Sequence, residues 1–152
     1  MKTLRFLIAS VAAFAASSAL GQNASLTSDT PVLAQSGGTL VLRATAEYEG
    51  EPGALGWTMV LPGDWSLVLV SGRNVPAIVP EAGSTGPLEF AYTAVPERRA
   101  EFSVVVRYPA NPTSTQATST VLLRSGGKLT TLTPAPVQLR GAEGGASRPS
   151  RN

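Results

Sequence analysis

Histidine and cysteine are both absent from this 152-residue chain. Without histidine the chain lacks the commonest general base near neutral pH and the commonest metal ligand. Without cysteine it has no thiol nucleophile, no thiolate site and no disulfide. A Ser-His-Asp triad cannot be assembled. No catalytic, cofactor-binding or metal-ligating set is expected, and the fold must rest on apolar burial alone. A lipid-modified N-terminal cysteine is excluded on the same ground.

The N-terminus does contain one long apolar run. It reads MKTLR, then FLIASVAAFAASSAL, then GQ. A short cationic stretch, an apolar run and a small-residue exit form the layout of a secretory signal peptide over residues 1–21. Cleavage is expected after Gly21, leaving Gln22 first. The run falls short of the roughly 20 apolar residues of a membrane span. A retained anchor is the rival reading, weakened by the many Ala and Ser residues. The mature chain is therefore expected in the periplasm, outside the cell or on its surface, with no membrane span.

Charge is scarce and balanced. The chain has 12 Lys and Arg against 10 Asp and Glu, and Lys2 and Arg5 leave with the leader. The mature chain is then neutral, so the basic character of the whole sequence carries no argument for nucleic acid.

What remains is dominated by strand patterns. Prolines and glycines recur between short apolar runs, and no sustained helical period appears after the leader. In LVLRATAEY, residues 40–48, Leu40, Leu42, Ala44, Ala46 and Tyr48 share one face. Leu55, Trp57, Met59 and Leu61 alternate in the same way, then Trp65, Leu67 and Leu69 after the Pro62-Gly63 turn. Leu88, Phe90 and Tyr92 follow, then Phe102, Val104, Val106 and Tyr108. Late strands are expected near 117–124 and 128–139, joined at Ser125-Gly126-Gly127, the second broken by Pro134 and Pro136. Val75 to Val79, held between prolines, reads as an edge strand or an irregular connection. The polar stretch PTSTQATST at 112–120 reads as a mobile loop leading to an edge strand. One domain over 22–140 follows, an all-β antiparallel sandwich of about eight or nine strands. Residues 141–152 hold nothing large enough to pack and read as a disordered tail.

Most of the acids sit in turns or on the outward parity of their strands, where no desolvation would raise a pKa for acid catalysis. Glu47, Glu49 and Glu51 lack the Asp, Asn and Gly of a calcium loop. Arg43, Glu89, Glu101, Arg107 and Arg124 take the outward parity, as solvated charges do.

Nine aromatics occur, two of them (Phe6 and Phe14) in the leader. The other seven are Tyr48, Trp57, Trp65, Phe90, Tyr92, Phe102 and Tyr108, all on the apolar parity of their runs. Core packing is their expected role. A sugar-binding platform would instead require Trp57 or Trp65 to be exposed.

Three stretches together carry a resemblance: EPGALGWTMVLPGDWSLVLVSG, then PAIVPEAGSTGPLEFAYTAVPERRAEFSVVVRYPA, then VLLRSGGKLTTLTPAPVQL. They resemble bacterial secreted Ig-like, cohesin-like sandwich domains, across about residues 26–140. Those domains carry an LP-x-GW turn, a G-x-x-x-F-x-Y/W strand, an F-x-V-x-V-x-Y/V-P strand and a closing hairpin. Here Asp64 stands beside Trp65 where they usually have Gly. The resemblance implies an Ig-like fold and a spacer or adhesion role, and supplies no catalytic residue.

The expected function is thus a secreted, non-catalytic structural or protein-interaction module with a protein or glycan partner at the cell surface. A carbohydrate-binding module and an adhesin or pilus-like subunit joined through edge strands are the alternatives. Arg73, Asn74 and Glu81, around the Val75 to Val79 piece, are the candidate binding residues. Ordinary loop polarity is the competing explanation for them.

Overall fold

The structure is a computed structural model and describes residues 21–142. The expected leader and tail therefore lie outside the described residues, apart from Gly21, Gly141 and Ala142. Ten strands form two facing sheets. They are β1 (Asn23–Ser28), β2 (Val32–Leu33), β3 (Gly38–Glu47), β4 (Ala54–Val60) and β5 (Ser66–Ser71), followed by β6 (Pro87–Tyr92), β7 (Arg99–Tyr108), β8 (Thr115–Ser125), β9 (Lys128–Leu132) and β10 (Val137–Gly141).

One sheet has the order β1-β3-β7-β5, the other β2-β10-β8-β4-β6 with β9 also on β8. All pairs are antiparallel except β2 with β10. Consecutive strands up to β8 lie in opposite sheets, so almost every connection crosses the sandwich. The β8–β9 and β9–β10 connections are the exceptions; the first is a hairpin turning at Gly126 and Gly127 with φ of +55° and +78°. Two positive φ angles are what a two-residue type I′ turn requires.

Alternation decides what each strand buries. β7 reads R-A-E-F-S-V-V-V-R-Y, and Ala100, Phe102, Val104, Val106 and Tyr108 are buried. β3 pairs with it in unbroken register from Gly38↔Tyr108 to Glu47↔Arg99. All seven aromatics are buried, with Trp57 1% and Trp65 4% exposed. The two indoles enter the core from different sides of the sandwich. Trp57, on β4, meets Phe102 of the facing sheet edge-on, with centroids 5.6 Å apart. Trp65, held by the turn in which its N–H donates to the Pro62 carbonyl, packs against Tyr108 at 5.3 Å.

Three local expectations are corrected, and the strand count rises from the expected eight or nine to ten. β1 and β2 were not legible, because NASLTS contains one large apolar residue, Leu26, and β2 has only two residues. Residues 115–120 are no loop but the first half of β8, an interior strand with β4 on one side and β10 on the other. Their small inward residues, Ala117 and Ser119, are buried. Leu69 does not share the core face with Leu67: a bulge between them turns Leu69 outward, 48% exposed, and leaves Val70 against the core. Finally, β10 continues through Gly141, where close approach to the Pro112 carbonyl leaves no room for a Cβ.

Pro134 and Pro136 divide the last stretch as expected. β9 pairs with residues 121–125 of β8 and β10 with 115–117, so both follow the same side of one strand. Val75 to Val79 is an irregular connection tied to β6 by the Ile78↔Ala91 bridge.

Candidate functional site

The bulge in β5 shapes the outer face of the four-stranded sheet. With Leu69 turned outward, Val41, Val105 and Leu69 stand in one row across β3, β7 and β5. Arg107 on β7 and Arg43 on β3 lie to either side of this row. Toward the start of β7 the face becomes charged. Arg99 donates from Nη1 to Glu47 Oε1 at 2.7 Å and from Nη2 to Glu101 Oε2 at 2.7 Å. Its Nε also reaches Glu101 Oε2, at 3.1 Å. The hydrogen bonds from Arg99 hold the Glu101 carboxyl below its usual range, with Arg43 and Arg73 adding to the effect. Those to Glu101 and Glu47 in turn raise Arg99.

A cleft of about 260 Å³ opens beside this network, lined by Arg73, Asn74, Pro96, Glu97, Arg99 and Glu101. Two loops form its walls, and both are fixed from below. Gly72, with φ +128°, lets the chain after β5 press against Phe102 of β7; a Cβ there would meet the Phe102 Cα at 3.0 Å. Asn74 N–H then donates to the Glu101 carbonyl at 3.1 Å. In the opposite wall Arg99 N–H donates to the Glu97 carbonyl at 2.6 Å across Arg98, whose φ is +60°. A three-residue turn of this kind with a side chain at positive φ is strained. The Tyr48 N–H holds it by donating to the Arg98 carbonyl at 2.9 Å.

Two buried phenols complete the support. Tyr92 O–H donates to the Asn74 carbonyl, and Tyr48 O–H to the Pro96 carbonyl, each at 2.6 Å. Burial raises both phenols, and repulsion from Tyr48 raises Tyr92 further. Hydroxyls kept neutral in this way remain donors. The cleft is a rigid polar depression in which Arg99 is engaged by two carboxylates while Arg73 makes no ion pair among the described residues.

Of the candidate residues, the structure brings Arg73 and Asn74 into this cleft. Glu81 lies at the other end of β5, where its carbonyl accepts from Ser84 N–H in a turn whose Gly83 and Ser84 bond the Leu67 backbone. Glu97, Arg99 and Glu101 were not singled out, although PERRAE is the densest charge cluster in the sequence. The cluster was legible; that it shares a cleft with Arg73 was not, since β5 and β7 are joined by a long excursion through the other sheet.

A cleft of about 280 Å³ beside one indole is lined by Pro62, Asp64, Trp65, Pro109 and Asn111 among others. Asp64 is exposed at its mouth, while Trp65 stays in the core. A flat indole platform is therefore missing there and at Trp57. Among the described residues no three Asp or Glu side chains gather as a metal site. No helix long and apolar enough to cross a membrane occurs among them.

No sequence-family model matches the chain, and no curated protein matches it by sequence. Solved structures do. A non-cellulosomal cohesin from the hyperthermophilic archaeon Archaeoglobus fulgidus superposes with a TM-score of 0.53 at 8% identity, over 79% of this chain and 91% of that one. A type II cohesin domain from the cellulosome of Acetivibrio cellulolyticus gives 0.51 at 10% identity, over 76% and 94%. The two-sheet sandwich of this chain is thus a cohesin-like, Ig-like fold, as the resemblance implied.

Proposed function

We propose that the chain is a secreted, non-catalytic protein-recognition module that meets its partner with the outer face of the four-stranded sheet. The supporting observation is the bulge in β5, which places Leu69 beside Val105 and Val41 on the same face as the fixed charged cleft. An apolar centre with a polar, hydrogen-bonding rim is the anatomy of a protein interface. Preset walls lower the ordering cost of association. The cohesin-like fold fits a module of this kind, and the leader read in residues 1–21 would deliver it outside the cytoplasm.

Leu69→Lys and Arg99→Ala change exposed side chains and leave the core untouched. Immobilised wild-type and doubly substituted protein should capture different sets from cell-envelope extract, with at least one protein lost from the variant. Identical capture by both, judged by quantitative mass spectrometry, would remove this face from consideration.

A second reading rests on β1. It pairs with β3 on one side only, and its sequence has no charge, proline or bulge to protect the other edge. An adhesin-like association through that edge would appear as concentration-dependent oligomers in light scattering. A monomer at high concentration rules it out. A glycan partner finds less support, because both indoles are buried.

A further inference from the structure

On the opposite side of the molecule, the outer face of the six-stranded sheet carries a trough above Gly56. We propose that this trough binds the side chain of a lysine presented by an extended peptide. Gly56 sits in the middle of β4, between β8 and β6, on backbone that any residue adopts. A Cβ added there would meet nothing closer than the Phe90 carbonyl at 3.9 Å. Neither backbone conformation nor packing demands glycine. Glycine weakens a strand interior and commonly marks close approach of a ligand or another chain.

The missing side chain interrupts an apolar row. Leu122, Gly56, Ala91 and Ile78 are successive cross-strand partners through β8, β4, β6 and the bridge beyond it. Leu122 is 42% exposed and Ile78 57%, so two aliphatic walls stand on either side of a floor made by Gly56 and Ala91. The space above holds about 280 Å³, and Thr58 and Glu89 line it with them. Glu89 is the one charged residue of the lining, and it makes no ion pair among the described residues.

This combination selects the occupant. Lysine has a slim aliphatic stem that lies along apolar surface and a compact ammonium that must end in water or on a carboxylate. Its stem fits the Leu122–Ile78 trough while the ammonium meets Glu89. A purely aliphatic ligand leaves Glu89 unused. A second copy of the chain fits worse. Seating Ile78 of each copy over Gly56 of the other places the two-fold axis over Ala91 on β6, and Glu89, two residues along that strand, would then face its own copy.

The test uses isotope-labelled full-length protein and two peptides, Ac-Ala-Lys-Ala-amide and the isostere with norleucine for lysine. The lysine peptide should shift the amide resonances of Gly56, Ala91 and Leu122 saturably. The norleucine peptide should bind about two- to fivefold more weakly, the range an exposed ion pair supplies. Glu89→Gln should make the two peptides equal. Gly56→Val, which fills the trough, should abolish binding of both, with spectral dispersion reporting that the variant is folded. Absent shifts at these amides, equal binding of both peptides to the wild type, or full binding to folded Gly56→Val would each overturn the proposal. Should Gly56→Val fail to fold, the Glu89→Gln comparison decides it. The recognition face on the other sheet plays no part, so either can fail alone.

Discussion

The Tyr92 phenol, buried on the inner side of β6, donates to the carbonyl of Asn74 at 2.6 Å. Tyr48, at the end of β3, does the same for Pro96. Each sheet thus sends one neutral hydroxyl to one wall of the charged cleft. The loops that carry the candidate binding residues are positioned by the core beneath them.

Removing a single phenol oxygen should therefore loosen one wall. Tyr92→Phe leaves the Asn74 carbonyl without its donor and should cost about 1 kcal/mol. Hydrogen exchange at the Asn74 amide, which bonds to Glu101, should accelerate. Unchanged exchange at that amide would show that the phenol does not hold the loop.

The same phenols set a response to alkali. Both have folded values above the ordinary 10.0, so each binds its proton more tightly folded than unfolded. Their contribution is whole below the unfolded value and is lost as pH rises through the raised folded ones. Denaturation titrations should show stability falling above about pH 10. In Tyr92→Phe that fall should be smaller, and an equal fall would assign it to other groups.

At the acid end the sign reverses. Glu101 titrates below its ordinary 4.5 because Arg99 bonds its charged form. Its contribution is present above the unfolded value and lost as pH falls through the lowered folded one. Glu101→Gln should flatten the acid limb of the stability profile, and added salt should mute the difference, since the pair faces water. A limb of unchanged slope at low salt would deny the pair any role.

Inside the core one hydroxyl is out of place. Ser119 Oγ is buried without a partner, opposite Met59 in the β4–β8 ladder. A buried polar group left unmatched costs about 1–3 kcal/mol. Ser119→Ala should raise the thermal midpoint, or at least leave it unaltered. A clear drop would mean that the hydroxyl is satisfied in solution.

Gly141 offers a test at the boundary between domain and tail. A Cβ there collides with the Pro112 carbonyl, so Gly141→Ala should destabilise by about 1–3 kcal/mol, as overpacking does. Urea unfolding measures it. No change would place residue 141 outside the folded unit.

Much of this architecture was readable along the chain. Period-two alternation in residues 40–48, 55–61, 88–92 and 102–108 determined which side chains face inward, because successive residues of a strand point to opposite faces. The Gly126-Gly127 hairpin was equally plain, being local. Leu69 was misread for an equally physical reason. A bulge shifts parity by one residue, and L-V-L-V alternates no better with it than without it. Asp64, the departure from the turn of similar domains, proved to be an exposed residue at the mouth of a cleft.

The tryptophan pair marks the division most clearly. Sequence alone determined that both indoles enter the core, since each falls on the apolar parity of its run. Only the tertiary structure decided that they do so from different sides of the sandwich, Trp57 against Phe102 and Trp65 against Tyr108. It likewise decided that Arg73 and Glu101 line one cleft and that Glu81 stays apart. Inward or outward is a property of one strand, fixed by its own period. Which strands become neighbours depends on closing long loops between sheets, and that is settled when the two apolar faces find each other.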